Sequence, residues 1–149
     1  MRAVVQRVTS ARVRVNSRVV GEIGSGLLVF AGVEKGDGPD DIAYIAGKVN
    51  DVRIFEDGAG KMNLSIGEVG GAALVVSQFT LCGDIRKGRR PSFDDAESPA
   101  AARPLYDDLV NALRKLNVKV ETGEFQAHME VDLTNDGPVT ILLDSRRRW

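Results

Sequence analysis

Apolar and polar residues alternate strictly through Ala11-Arg12-Val13-Arg14-Val15, the pattern of a strand with one face on a core and the other in water. Asn16-Ser17 supplies turn chemistry and Val19 to Ile23 resumes the strand-like pattern, which predicts a hairpin. Gly26 to Val33 is almost wholly apolar and predicts a buried strand. The period then changes. Ile42, Ile45, Val49 and Val52 recur at three- and four-residue spacing behind Pro39, predicting an amphipathic helix from Asp40 to about Asp51 that covers one face of a sheet. Val52 to Glu56 reads as a short strand closed by Asp57-Gly58. Ala72 to Val76 is a second apolar run, leading straight into Ser77-Gln78-Phe79-Thr80-Leu81.

Cys82 to Asp95 is polar, basic and glycine-containing, and reads as a loop. Ser98-Pro99 offers an N-cap and a first-turn proline, after which Leu105, Leu109, Leu113 and Leu116 form one stripe of a second helix. Three strands are predicted beyond it: Val118 to Thr122, Met129 to Leu133, and Val139 to Leu143. The last two are joined by Asn135-Asp136-Gly137-Pro138. Many strands, two helices and mostly short links predict an α+β domain with a largely antiparallel, barrel-like sheet.

The 149 residues, 43 % of them hydrophobic, suffice for one domain spanning 1–149 with a single site. The longest apolar run falls well short of the roughly 20 residues of a membrane helix, and no signal-peptide pattern precedes it, so a cytoplasmic protein without membrane contact is expected. The lone Cys82 cannot form an internal disulfide or a cysteine metal cluster. A net charge of −1 argues against indiscriminate nucleic-acid binding. Two local clusters remain: Arg86-Lys87-Gly88-Arg89-Arg90, suited to phosphates or to solvent, and Arg146-Arg147-Arg148, which with Trp149 is read as a solvated, flexible basic tail over 146–149.

Standard catalytic constellations are missing. His128 is the one histidine and opens an alternating strand, where a surface imidazole is the ordinary outcome. Cys82 lacks an obvious base, although Arg86 and Lys87 nearby could lower its pKa; an inert small residue is the expectation. The pairs Asp40-Asp41 and Asp94-Asp95 are adjacent in sequence and do not face each other on a helix. Helix-start charge accounts for them, and no metal or cofactor is expected.

Two segments change the picture. Ser77-Gln78-Phe79-Thr80-Leu81 and Asn135-Asp136-Gly137-Pro138-Val139-Thr140 together resemble the signature motifs of the D-aminoacyl-tRNA deacylase family. Gln6-Arg7-Val8, Lys61-Met62-Asn63-Leu64 and Gly88-Arg89-Arg90-Pro91-Ser92-Phe93 extend the resemblance over essentially the whole chain.

The resemblance implies a homodimer acting on the acceptor end of aminoacylated tRNA. Each subunit inserts a cis Gly137-Pro138 unit into its partner's site to reject L-amino acids, and glycine passes as a substrate. It further implies catalysis at Ser77, Gln78, Phe79 and Thr80, through backbone amides around Gln78, Phe79 and Thr80 together with the tRNA 2′-hydroxyl. Thr80 is expected to position rather than attack, since no base stands by to activate it. Gly137, Pro138, Asn135, Met129, Phe125 and Arg7 are implied in substrate binding and chiral selection, with Arg7 holding the Gly-Pro carbonyls. Arg86, Lys87, Arg89 and Arg90 are expected to contact tRNA. Three rival readings are a deacylase clearing L-alanine, a non-enzymatic RNA-binding module, and an amidohydrolase acting on free D-amino acid derivatives.

Overall fold

A computed structural model describes residues 1–148; Trp149, assigned above to a basic tail, lies outside the described residues. The alternation at Ala11 to Val15 belongs to a longer strand, β1 (Arg2–Val15), which turns through Asn16 and Ser17 into β2 (Arg18–Ile23). Both turn residues have positive φ, 50° and 65°, as a two-residue hairpin loop requires. β3 (Gly26–Gly32) follows and pairs antiparallel with the first half of β1.

The first helix, α1 (Pro39–Asp51), starts with Gly38 as N-cap, whose backbone N–H donates to Asp41 Oδ2 at 2.9 Å. Ile42, Ile45 and Val49 are buried on it as their spacing predicts. The strand expected at Val52 to Glu56 shrinks to β4 (Phe55–Glu56), which pairs with β5 (Met62–Leu64). β6 (Ala72–Ser77) lies parallel to β3 and ends in a 3-10 turn over Phe79–Cys82.

The second helix, α2 (Pro99–Lys115), begins where predicted, but the Ser98 side chain makes no capping bond. Leu109 and Leu113 are fully buried; Leu116 lies past the helix end and is 43 % exposed, and Tyr106 and Val110 complete the stripe. β7 (Lys119–Thr122) pairs parallel with β6. The sheet is thus mixed, its parallel pairs β3/β6 and β6/β7 bridged by the segments carrying α1 and α2. It nearly closes: a Cβ built on Gly21 of β2 would lie 2.3 Å from the Thr122 carbonyl oxygen of β7.

Alternation sets the core. Leu27, Val29, Ala73 and Val75 face α1 and α2, whereas Leu28, Leu74 and Val76 face the barrel interior with Val8 and Val13.

The end of the chain corrects the sequence reading. Instead of two strands joined by a turn at Asn135 to Pro138, one strand, β8 (Glu130–Asp144), runs antiparallel along β1. Gln6 pairs with Thr140 and Val8 with Asn135, so two steps along β1 face five along β8, and residues 136–139 bulge out of the ladder. Turn-forming residues here make a bulge because the apolar positions on both sides already share one long partner strand.

The basic tail is likewise docked through Arg148 rather than solvated. Arg148 Nε meets Asp144 Oδ2 at 2.7 Å and its guanidinium also reaches buried Glu34, while Arg146 reaches Asp37 at 3.0 Å. The same acidic cluster receives the α-ammonium of Met1, 2.6 Å from Asp37 Oδ1 and 2.7 Å from Ser145 Oγ. This network fastens the start of β1 to the end of β8.

Candidate active site

At the end of β6 the Ser77-Gln78-Phe79 segment leaves the sheet and borders a cavity of about 580 Å³, whose lining does not include Thr80. Ser77, Gln78, Phe79, Phe125 and Met129 line it, joined by Gln126, Ala127 and His128 and, from the other side, by Phe93, Glu97, Pro99 and Ala102. Sequence reasoning did not find the wall from Phe93 to Ala102, which comes together only because the loop and the start of α2 fold back over β6. Isolated pairing of Glu34 with Ala96 ties that loop to the end of β3.

The amides of the turn can be accounted for one by one. The Gln78 N–H, expected to serve a substrate oxygen, donates instead to the Ala31 carbonyl at 2.8 Å. Leu81 N–H returns to Gln78 O at 3.2 Å and Gly83 N–H to Thr80 O at 3.0 Å. Phe79 and Thr80 precede the first closed bond of the turn, so their N–H groups are the ones left for a ligand. Both residues are exposed, and the Gln78 side chain donates a short hydrogen bond to Thr80 Oγ1 that fixes the turn's outer edge. Phe79, 56 % exposed, meets Phe93 edge-to-face at 5.0 Å.

Tyr106 supports the floor. Its buried hydroxyl donates to Val75 O at 2.8 Å, and its ring lies 5.7 Å from Phe125, over which Arg103 also sits.

The remaining predicted residues gather elsewhere, around the β8 bulge. Arg7 is buried; its Nε donates to Asp136 O at 2.9 Å and its Nη1 to Ile54 O, so it holds the carbonyl just before Gly137-Pro138 rather than the Gly-Pro carbonyls expected of it. Asn135 binds the backbone of Val139 in both directions, accepting its N–H at 2.7 Å and donating to its carbonyl at 3.1 Å. Gly137 and Pro138 are exposed between these two clamps, the Gly137-Pro138 peptide bond is cis, and Gly137 has φ 135°. None of Arg7, Asn135, Gly137 and Pro138 lines the cavity of the same chain.

The basic loop divides. Arg86 is held by Asp84, its Nη2 2.6 Å from Oδ2, and that hydrogen bond and charge lower the Asp84 carboxyl to about 2. Lys87, Arg89 and Arg90 are exposed.

Cys82 is buried, and burial together with the nearby Glu34 carboxylate pushes its thiol up to about 11, opposite to the lowering that Arg86 and Lys87 had suggested. Native protein at pH 8 should therefore resist iodoacetamide, with one equivalent incorporated only after denaturation. Stoichiometric labelling of the native protein, followed by intact mass, would overturn this placement. Asp41 serves as the helix-start residue its position suggested, and among the described residues no three metal-ligating side chains converge.

Comparison with known proteins gives this arrangement its class. The model of the D-Tyr-tRNA(Tyr) deacylase family matches residues 4–144. A D-aminoacyl-tRNA deacylase of Anaeromyxobacter dehalogenans is 60 % identical over 147 residues, covering 99 % of both chains, and one of Thermosipho africanus is 56 % identical over the same coverage. Among solved structures, a c-Myc DNA Unwinding Element Binding Protein superposes with a TM-score of 0.91 at 37 % identity, over 97 % of this chain and 98 % of that one. A probable eukaryotic D-amino acid tRNA deacylase shares the fold, with a TM-score of 0.81 at 20 % identity over 95 % of this chain and 97 % of that one. The chain belongs to the D-aminoacyl-tRNA deacylase family. Its class of activity is that of a hydrolase acting on the ester bond of aminoacyl-tRNA. Among the described residues no helix is long and apolar enough to cross a membrane.

Proposed function

We propose that this chain hydrolyses D-aminoacyl-tRNA and glycyl-tRNA to free tRNA and amino acid, and that it spares L-aminoacyl-tRNA by steric rejection in a homodimer. The observation that carries the chemistry is the pair of amides left open at Phe79, which lines the cavity, and at Thr80, the next residue of the turn. They hold the ester carbonyl oxygen as it gains charge, a role in which one well-placed donor is worth about 10² to 10³ in rate. The ester is already activated, so water positioned by the terminal 2′-hydroxyl of the tRNA needs no side-chain nucleophile. Thr80, tied to Gln78, positions the turn. Ser77 frames the cavity end, Phe125 and Met129 wall it, and Lys87, Arg89 and Arg90 meet acceptor-end phosphates.

Selectivity against abundant L-esters cannot rest on attraction, since one methylene of pocket contact discriminates only about 10- to 200-fold. Repulsion supplies the rest. Gly137 and Pro138 form the rigid, exposed corner that would occupy the space of an L side chain in the partner's cavity. A homodimer is supported by β8 itself, which pairs with β1 along one edge and leaves Leu133 and Leu142 37 % and 57 % exposed. Work in the cytoplasm follows from a tRNA substrate.

The test is deacylation of D-Tyr-tRNA, L-Tyr-tRNA and Gly-tRNA by the purified protein with a chelator present. Loss of the D and glycyl esters with the L ester intact is expected. Survival of the D ester would refute the reading, and salt-sensitive tRNA binding without cleavage would put a binding module in its place.

A further inference from the structure

We infer that Asn135 is the positioning residue of the chiral selector, and that Thr140 and Gln6 anchor it to β1; this rests on the selector role just proposed for Gly137-Pro138. The bulge removes residues 136–139 from the ladder with β1, so their backbone groups need other partners. Arg7 takes one, the Asp136 carbonyl, from the strand side. On the far side of Gly137-Pro138 both polar groups of Val139 are taken by one side chain, the Asn135 amide, whose Oδ1 accepts the N–H at 2.7 Å and whose Nδ2 donates to the carbonyl at 3.1 Å.

That two-way bond closes a small ring containing Asp136, Gly137 and Pro138. The corner is thereby fixed at both ends by groups that do not line the cavity of their own chain. The same Nδ2 also donates to Thr140 Oγ1 at 3.3 Å, and Thr140 Oγ1 accepts from Gln6 Nε2 at 3.1 Å. Gln6 and Thr140 are paired across the two strands, so the ring is registered against β1 at its base. No larger residue substitutes for Gly137 inside this ring: a Cβ there would lie 2.7 Å from Val139 Cγ2 and 3.1 Å from Arg7 Nη2.

The chemistry demands an amide in particular. Aspartate matches asparagine in shape and keeps an acceptor for the Val139 N–H, but it has no donor for the Val139 carbonyl and would set two oxygens against each other. A selector that rejects by occupying space works only while it cannot move aside. Releasing one of its two clamps should therefore admit substrates that the intact ring excludes.

Asn135→Asp should raise kcat/KM for L-Tyr-tRNA by about tenfold, the factor expected when a part-buried hydrogen bond is lost and its carbonyl acceptor is left facing an anion. Thr140→Val should raise it to a smaller extent, and Thr140→Ser, which restores the hydroxyl, should return it to the starting value. A gain of L-ester cleavage cannot come from misfolding, which lowers all rates together. If Asn135→Asp lowers D- and L-ester hydrolysis in parallel, or leaves L-Tyr-tRNA intact, Asn135 does not position the selector. Pro138→Ala separates the two levels of the argument. If it admits L-Tyr-tRNA while Asn135→Asp and Thr140→Val do not, only this inference fails; if L-Tyr-tRNA survives Pro138→Ala as well, the selector role falls and this inference with it.

Discussion

Gly26→Ala is expected to lower the stability of the protein by about 4 kcal/mol or more, the upper range of overpacking effects, with much of the variant recovered as aggregate. A Cβ at residue 26 would lie 1.8 Å from the Ala72 carbonyl oxygen and 2.8 Å from its backbone carbon and nitrogen. Gly26 and Ala72 are the first pair of the parallel β3/β6 ladder. No side chain can turn away to make room, because the obstructing atoms are backbone. The strands must part at the point where their register begins, and that register runs on to Ala31 and Ser77 at the cavity. Gly24, two residues earlier, is the control: its Cβ would meet nothing within 4 Å, and Gly24→Ala should stay within about 0.5 kcal/mol of the parent. At this chain length the first change corresponds to a fall in Tm of about 10 °C or more, readable by calorimetry. Equal melting of the two variants would mean that β3 and β6 do not approach as described.

The same glycine shows where sequence stops being informative. Periodicity marks α1, α2 and the first hairpin because each is a local pattern with a local cause, the burial of one face. What Gly26 must avoid lies 46 positions away, and nothing in Ser25-Gly26-Leu27 announces a parallel neighbour. Asn135 to Pro138 fails for a related reason. Its residues carry every mark of a turn, and only the continuous pairing of β1 with both flanks turns them into a bulge within one strand.

The site was legible in part. Its two motifs were recognised as a resemblance, and Phe125 and Met129 do line the cavity. Which amides remain open was not readable, because Gln78 gives its N–H to Ala31 on a neighbouring strand, a tertiary fact that elevates Phe79 and Thr80. Arg86 was likewise grouped with its basic neighbours until Asp84 claimed it. In each case the missing knowledge is a partner supplied by another part of the fold.

Glu34 is the clearest instance of such a partner, and replacing it carries the second large effect. It is 1 % exposed, yet three cations converge on it: Arg2 Nη2 at 3.0 Å, the Met1 ammonium at 3.5 Å, and Arg148. Burial alone would raise its carboxyl, but the Arg148 hydrogen bond and the charges of Arg2, Met1 and Arg148 outweigh it and hold the group below the usual range. Glu34→Gln removes the anion and leaves its cations facing one another, for an expected loss of about 3 kcal/mol, the lower end for a broken buried pair because Arg148 reaches solvent. Asp144 acts beside it: burial raises its carboxyl, but bonds from Arg148 and from the Arg146 and Arg148 backbone lower it to about 2. Both carboxyls are therefore depressed in the folded state. Their stabilisation is complete above the unfolded values, near 3.8 and 4.5, and is lost as pH falls through the folded ones. Asp144 alone accounts for about 2 kcal/mol of that loss. Urea unfolding of the parent should accordingly weaken between pH 5 and pH 2, and Glu34→Gln should be less stable at pH 7 with a shallower acid decline. Parallel pH profiles for the two proteins would show that Glu34 does not organise the cluster joining the start of β1 to the end of β8.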